Sequence, residues 1–110
     1  VEKVSEADLA YRHGDSGPKY LFRGPHMEWG VMLLQPGQTM GQHGHRETEE
    51  FFHVIEGECV MIVDGKQHPG RAGNAFRVVP GEMHDIENTS DAPVKLVFMK
   101  APYNPDDKIG

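Results

Sequence analysis

The chain is predicted to be all-β, on three observations. Thirteen Gly and eight Pro are spread along the 110 residues, and they divide the apolar stretches into short runs. Asp64-Gly65 separates two such runs and is a strong two-residue hairpin signal. No segment sustains the 3.6-residue apolar repeat of a long amphipathic helix.

Taken in order, Lys19–Arg23 and Glu28–Leu34 read as the first strands. Met40–His45 and Glu50–Glu56 follow. Cys59–Val63 runs into Asp64-Gly65, and Lys66–His68 returns. Ala75–Val79 and His84–Asn88 come next, and Val94–Ala101 closes the barrel region. Val1–Tyr11 can form a short helical turn, with Ser5 as its cap and Ala7, Leu9 and Ala10 inside it. The polar, Pro-rich segment 101–108 reads as a tail outside the barrel, with Tyr103 docked on its surface. One domain over residues 1–110 is expected, its barrel core at about 19–101, because this length supports a single hydrophobic core.

His43-Gly44-His45, Glu50 and His84 are the most informative residues. Three imidazoles and a carboxylate make a ready ligand set for one divalent transition metal. In a strand, residues i and i+2 share a face about 7 Å apart, so His43 and His45 can address one ion while Gly44 faces away. Glu49 is a rival carboxylate, read as a solvated outward charge. His53 lies opposite Glu50 on alternation, and His13, His26 and His68 lie in turn-like stretches, so all four read as surface or interface histidines.

The framework around these residues resembles the cupin family. Its first motif is matched by Gly37, five residues, His43-Gly44-His45, four residues, Glu50, six residues and Gly57. Its second is matched by Gly73, five residues, Val79-Pro80-Gly81, two residues, His84, three residues and Asn88. Pro80 stands one position later than the pattern, with Val79 in its place, and His84 keeps its distance from Gly73. The two motifs span Gly37 to Asn88, about half the chain, and a double match is more specific than any single short motif. The resemblance implies a double-stranded β-helix, a jelly-roll barrel, with His43, His45, Glu50 and His84 as metal ligands.

Counted from Glu50, Phe52 and Val54 share its face; counted from His84, so does Ile86. These three are expected to wall the cavity around the ion and keep it narrow and largely dry. Arg23 and Arg77 are candidate anchors for an anionic group, since Arg binds a carboxylate or phosphate bidentately. Each suits a surface strand position better. Trp29, with Met27, Val31 and Leu33, reads as barrel core. Val94–Ala101 is apolar on both faces, and with the outward face of Phe51 and His53 it points to a homodimer.

Composition narrows the function classes. A net charge of −6 without a basic cluster argues against nucleic-acid binding. No apolar run approaches a membrane span. The lone Cys59 excludes an internal disulfide, reads as a small buried hydrophobe and fits a reducing compartment; no signal peptide is visible, and a cytoplasmic location is expected. Four ligands leave one or two positions open on an ion that prefers five or six, which suits binding of a small oxygen-rich metabolite such as a sugar, a hydroxy-acid or a keto-acid. The metal can be Mn, Fe, Co, Ni, Cu or Zn. An isomerase, lyase or decarboxylase is one reading, an Fe-dependent dioxygenase another, and a non-catalytic binding or sensing module a third. No general acid or base is assigned, and lumen-facing residues read as mostly apolar.

Overall fold

A computed structural model describes residues 1–110. Ten strands form the jelly roll. They are β1 (Gly17–Arg23), β2 (Glu28–Leu34), β3 (Gly44–His45), β4 (Glu49–Glu56), β5 (Glu58–Val63), β6 (Lys66–Arg71), β7 (Ala75–Val78), β8 (His84–Glu87), β9 (Val94–Ala101) and β10 (Lys108–Ile109). One sheet runs β1-β2-β9-β4-β7; facing it are the β6-β5-β8 sheet and the short β10-β3 pair. Every pairing is antiparallel, and the bridges Thr39↔Glu87 and His43↔His84 join segment 39–45 to β8.

Alternation decides what is inside. On β4, Glu50, Phe52 and Val54 are buried, whereas His53 is exposed. On β9, Val94, Leu96 and Phe98 are buried, whereas Met99 is exposed. The inward sets of both sheets meet in one core that includes Phe52, Val54, Cys59, Met61, Ile86, Leu96 and Phe98. Burial raises the Cys59 thiol pKa, which leaves it an unreactive core group. The hairpin at Asp64-Gly65 has positive φ at both residues (48° and 82°), the backbone that a two-residue turn needs to match strand twist.

Two bulges matter for position. The β4 register shifts at Ile55, beyond Val54, so the parity counted from Glu50 holds through the core. The β1 register shifts between Tyr20 and Phe22. Tyr20 then faces Gly30 and Arg23 faces Glu28, so two residues three apart both reach the cavity side.

Several sequence expectations are corrected. Met40–His45 is not a continuous strand; only Gly44 and His45 form one, and His43 enters through its single bridge to His84. The helical turn is a 3-10 turn at Glu6–Asp8. Ser5 makes no side-chain cap there, and Ala7 and Ala10 are exposed. Trp29 lies on the outer face of β2, half-buried and stacked on Phe22 at 6.2 Å, because the inward positions of that strand are Glu28, Gly30, Met32 and Leu34.

The C-terminal segment is not an external tail. Lys108 and Ile109 pair with His45 and Gly44. The Asp107 carboxylate accepts the N–H groups of Glu47 (2.8 Å) and Thr48 (2.9 Å), and the Thr48 hydroxyl donates to the Pro102 carbonyl (3.1 Å). Tyr103 packs its ring against Gly24 and donates its N–H to the His26 carbonyl. Segment 102–110 is thus a strap across the loop that leads from His45 to Glu50.

Candidate metal centre

Each ligand candidate is held by a different device. His43 and His84 exchange backbone hydrogen bonds (2.9 and 2.8 Å), which locks their side chains together. His45 sits in β3, between the β10 strap and the turn Val79–Glu82; the Gly81 N–H donates to the His45 carbonyl at 2.8 Å. Glu50 enters from the opposing sheet, at the open end of β4. Gly44 lets these elements close. A Cβ there would lie 2.8 Å from Met83 Sδ and 3.0 Å from the Glu82 carbonyl oxygen.

The four side chains converge. Glu50 Oε1 lies 2.9 Å from His84 Nε2, 3.4 Å from His43 Nε2 and 3.3 Å from His45 Nε2. All four residues are buried. His43, Glu50 and His84 form the tight group, with ligand atoms within 4.8 Å of one another. His45 stands a step further out, its ring 6.2 Å from that of His84.

The chemistry of the set fits a cation. His43 Nδ1–H donates to the Gly41 carbonyl (2.9 Å) and His84 Nδ1–H to the Glu82 carbonyl (3.2 Å). A carbonyl can only accept, so in the neutral rings the proton is on Nδ1 and the Nε2 lone pair points inward. Both ring nitrogens of His45 are buried without a hydrogen-bond partner. The centre therefore gathers lone pairs with few protons among them, an unfavourable arrangement that a metal ion completes.

The centre opens into a cavity of about 390 Å³. Phe52, Val54 and Ile86 do not wall it. They are 0–1% exposed and pack in the closed core beneath the ligands, with the Phe52 ring 5.9 Å from that of His84. Parity correctly turned them inward. Depth is a separate matter, since each second residue of β4 lies about 7 Å further down the barrel. The apolar wall is instead Tyr20, Met32, Leu34, Met40 and Phe98.

The cavity is also more polar than expected. Arg23, Glu28 and Lys100 line it, and Glu28 is buried. Arg23 Nε donates to Glu28 Oε2 at 3.0 Å, and its guanidinium lies 4.2 Å from the centre of the Tyr20 ring. Arg77 is not in the cavity. It faces Phe51 across the outer side of the edge strand β7, is 66% exposed, and pairs with Glu49 at 3.2 Å. The sequence reading missed Glu28 and Lys100. The signal that could have found them is a charged residue at an inward position of an otherwise apolar strand.

The cupin-domain family model Cupin_2 matches residues 30–100. The chain belongs to the cupin family. Among relatives, this cupin is 30% identical over 81 residues to "Polyketide synthase CurC" of Streptomyces cyaneus, covering 74% of this chain and 53% of that protein. It is 35% identical over 66 residues to the "Oxalate-binding protein" of Thermotoga maritima, covering 60% of this chain and 54% of that protein. The cupin thus spans about half the length of these curated relatives. A crystal structure of an uncharacterized conserved protein with a double-stranded β-helix domain from Klebsiella pneumoniae superposes with a TM-score of 0.83 at 23% identity, covering 94% of this chain and 92% of that one. No helix is long and apolar enough to cross a membrane.

The strap supports the centre, which yields a prediction. Asp107→Ala removes the acceptor that fixes the Glu47 and Thr48 N–H groups. Metal affinity is expected to fall by about ten- to a hundredfold, the usual effect of losing a group that orients ligands, without abolishing binding. The Asp107 carboxyl is held below its ordinary pKa, first by the Glu47 N–H, then by Thr48 and Arg46 against a smaller opposing effect of burial. A depressed folded-state pKa means that the stabilisation is present above the unfolded value of about 3.9 and is lost as pH falls through the folded value. Competition with a chromophoric chelator measures the affinity. Acid unfolding of Asp107→Asn should lack this component of the pH dependence below about pH 4.

Proposed function

We propose that this cupin is a metal-dependent enzyme acting on a small oxygen-rich acid, with one divalent transition metal held by His43, His45, Glu50 and His84. The observation that carries the reading is the buried cluster of inward lone pairs at the floor of an open, charged cavity. When bound, the ion would supply Lewis acidity at its open positions for a substrate that chelates through two oxygens. The chain's own residues do the rest. His43, His45, Glu50 and His84 fix the ion's position. Tyr20, Met32, Leu34 and Phe98 shield one side from water, and Arg23, Glu28 and Lys100 provide charge that orients a bound acid.

The test is metal analysis of protein purified without added metal, then assays of the metal-loaded form against hydroxy-acid, keto-acid and sugar pools. Turnover of a chelating acid that stops in Glu50→Gln supports the reading. A metal-loaded protein that binds such acids and leaves them unchanged supports a second one, a binding module without turnover. Similarity to an oxalate-binding protein favours that alternative. Iron in the purified protein would direct the assays to oxygenation; manganese, nickel or zinc would direct them to isomerase and lyase chemistry.

We also propose a homodimer formed through the outer face of the β1-β2-β9-β4-β7 sheet. Phe22, Trp29, Leu33, Phe51, Val97 and Met99 share that face and retain partial exposure, an apolar surface of the kind that oligomers cover. Light scattering at micromolar concentration is expected to return twice the 12.3 kDa chain mass. A monomer mass would refute it.

A further inference from the structure

Four charged residues stand in one row across the inner face of the larger sheet. Glu50 on β4 is in register with Lys100 on β9, Lys100 with Glu28 on β2, and Glu28 with Arg23 on β1. The signs alternate. Glu50 belongs to the metal cluster, and the other three line the cavity beside it. Neighbouring strands are about 4.8 Å apart, so the Lys100 backbone is one strand spacing from Glu50 and that of Arg23 is three.

The partners are unequally shared. Glu28 is committed to Arg23 by a hydrogen bond of 3.0 Å. The Lys100 ammonium is 3.6 Å from the other Glu28 oxygen, beyond hydrogen-bond distance, and donates to no acceptor in the chain. Its side chain is only 18% exposed, and the ammonium lies 5.7 and 5.6 Å from the ring centres of Tyr20 and Phe98. An ammonium that lines the cavity, held at 3.6 Å by one carboxylate oxygen and one strand from Glu50, is placed to pair with an anion that enters.

We propose that Lys100 is the specificity-determining residue of the cavity, pairing with a carboxylate of a short acid whose remaining oxygens reach the metal. This rests on the metal-centre reading above and identifies the ligand class as short dicarboxylates and carboxylates bearing an adjacent oxo or hydroxy group. Arg23 is not the anchor. It holds Glu28, and Glu28, across Lys100 from Glu50, is a positioning residue that sets how far the ammonium stands from the metal cluster. The one-strand separation of the Lys100 and Glu50 positions suits a short diacid, and a longer one must bend or displace Glu28.

Calorimetry on the metal-loaded protein tests this with oxalate, malonate, succinate and acetate as probes. Wild-type protein should prefer oxalate and malonate over acetate. Lys100→Met should lose that preference, weakening the diacids by about ten- to a hundredfold, the usual value of a hydrogen bond between charged groups, with acetate changed far less. Lys100→Arg should retain part of it. Glu28→Gln should flatten the selectivity among oxalate, malonate and succinate, where a merely structural lesion would weaken all three alike. Unchanged metal stoichiometry and melting temperature in each variant show that the fold and centre persist. If Lys100→Met binds diacids as wild type does, or if Arg23→Met alone removes the preference, the Lys100 assignment is overturned and the metal-centre reading stands. If metal-loaded wild-type protein binds none of the probes, the assignment and the acid-ligand reading both fall. If wild-type protein takes up no metal, the centre itself is misassigned, and the anchor falls with it.

Discussion

Wild-type protein should take up one divalent ion per chain, and the His43→Ala, His84→Ala double variant should take up none at micromolar metal. These two rings form the closest imidazole pair, with centres 4.4 Å apart, and both place Nε2 beside Glu50 Oε1. Four-ligand sites bind zinc with roughly 10 kcal/mol or more, so losing two of four ligands should cost several kcal/mol, about a thousandfold or more in affinity. The folded core should survive, because the core cluster beneath the ligands does not depend on either ring. Elemental analysis after gel filtration, with circular dichroism as the control for folding, measures both. Full occupancy in the double variant would refute the ligand assignment.

Phe52→Ala should destabilise the fold by about 3–5 kcal/mol, the usual cost of emptying a buried aromatic site. Phe52 is 1% exposed and sits between Phe76 and Phe98 in the strand register. Because domains are stable by only about 5–15 kcal/mol, this variant should be near its unfolding threshold at 37 °C. Phe51→Ala, one residue away on the outer face, should cost much less in a monomer. Any further cost in a dimer should depend on protein concentration. Urea unfolding of both variants at two concentrations separates the effects. Equal, concentration-independent losses would contradict the strand parity on which the interior is built.

Much of this was legible in the chain itself, for a local reason. Strand alternation depends on residues two apart, and turn chemistry on adjacent ones. So Glu50, Phe52 and Val54 could be placed inside and His53 outside, Glu28–Leu34 and Val94–Ala101 have the bounds read from the residues, and Asp64-Gly65 makes its hairpin. The double Gly-and-His framework carried the family resemblance, and the family model covers residues 30–100.

What the sequence by itself determined was which face each strand residue takes. Only the tertiary structure decided depth, register and what closes the open end. Depth put Phe52, Val54 and Ile86 in the core floor and left the cavity wall to Tyr20, Met32, Leu34, Met40 and Phe98. Register set Glu50, Lys100, Glu28 and Arg23 side by side although 72, 50 and five positions separate successive pairs along the chain when the row is followed from Lys100 to Glu28, from Glu50 to Lys100, and from Glu28 to Arg23. It also turned Arg77 outward to Glu49. The strap from Pro102 to Ile109 reached the His45 loop through backbone pairing and one carboxylate. Those are contacts between segments distant in sequence, and no periodicity within either segment encodes them.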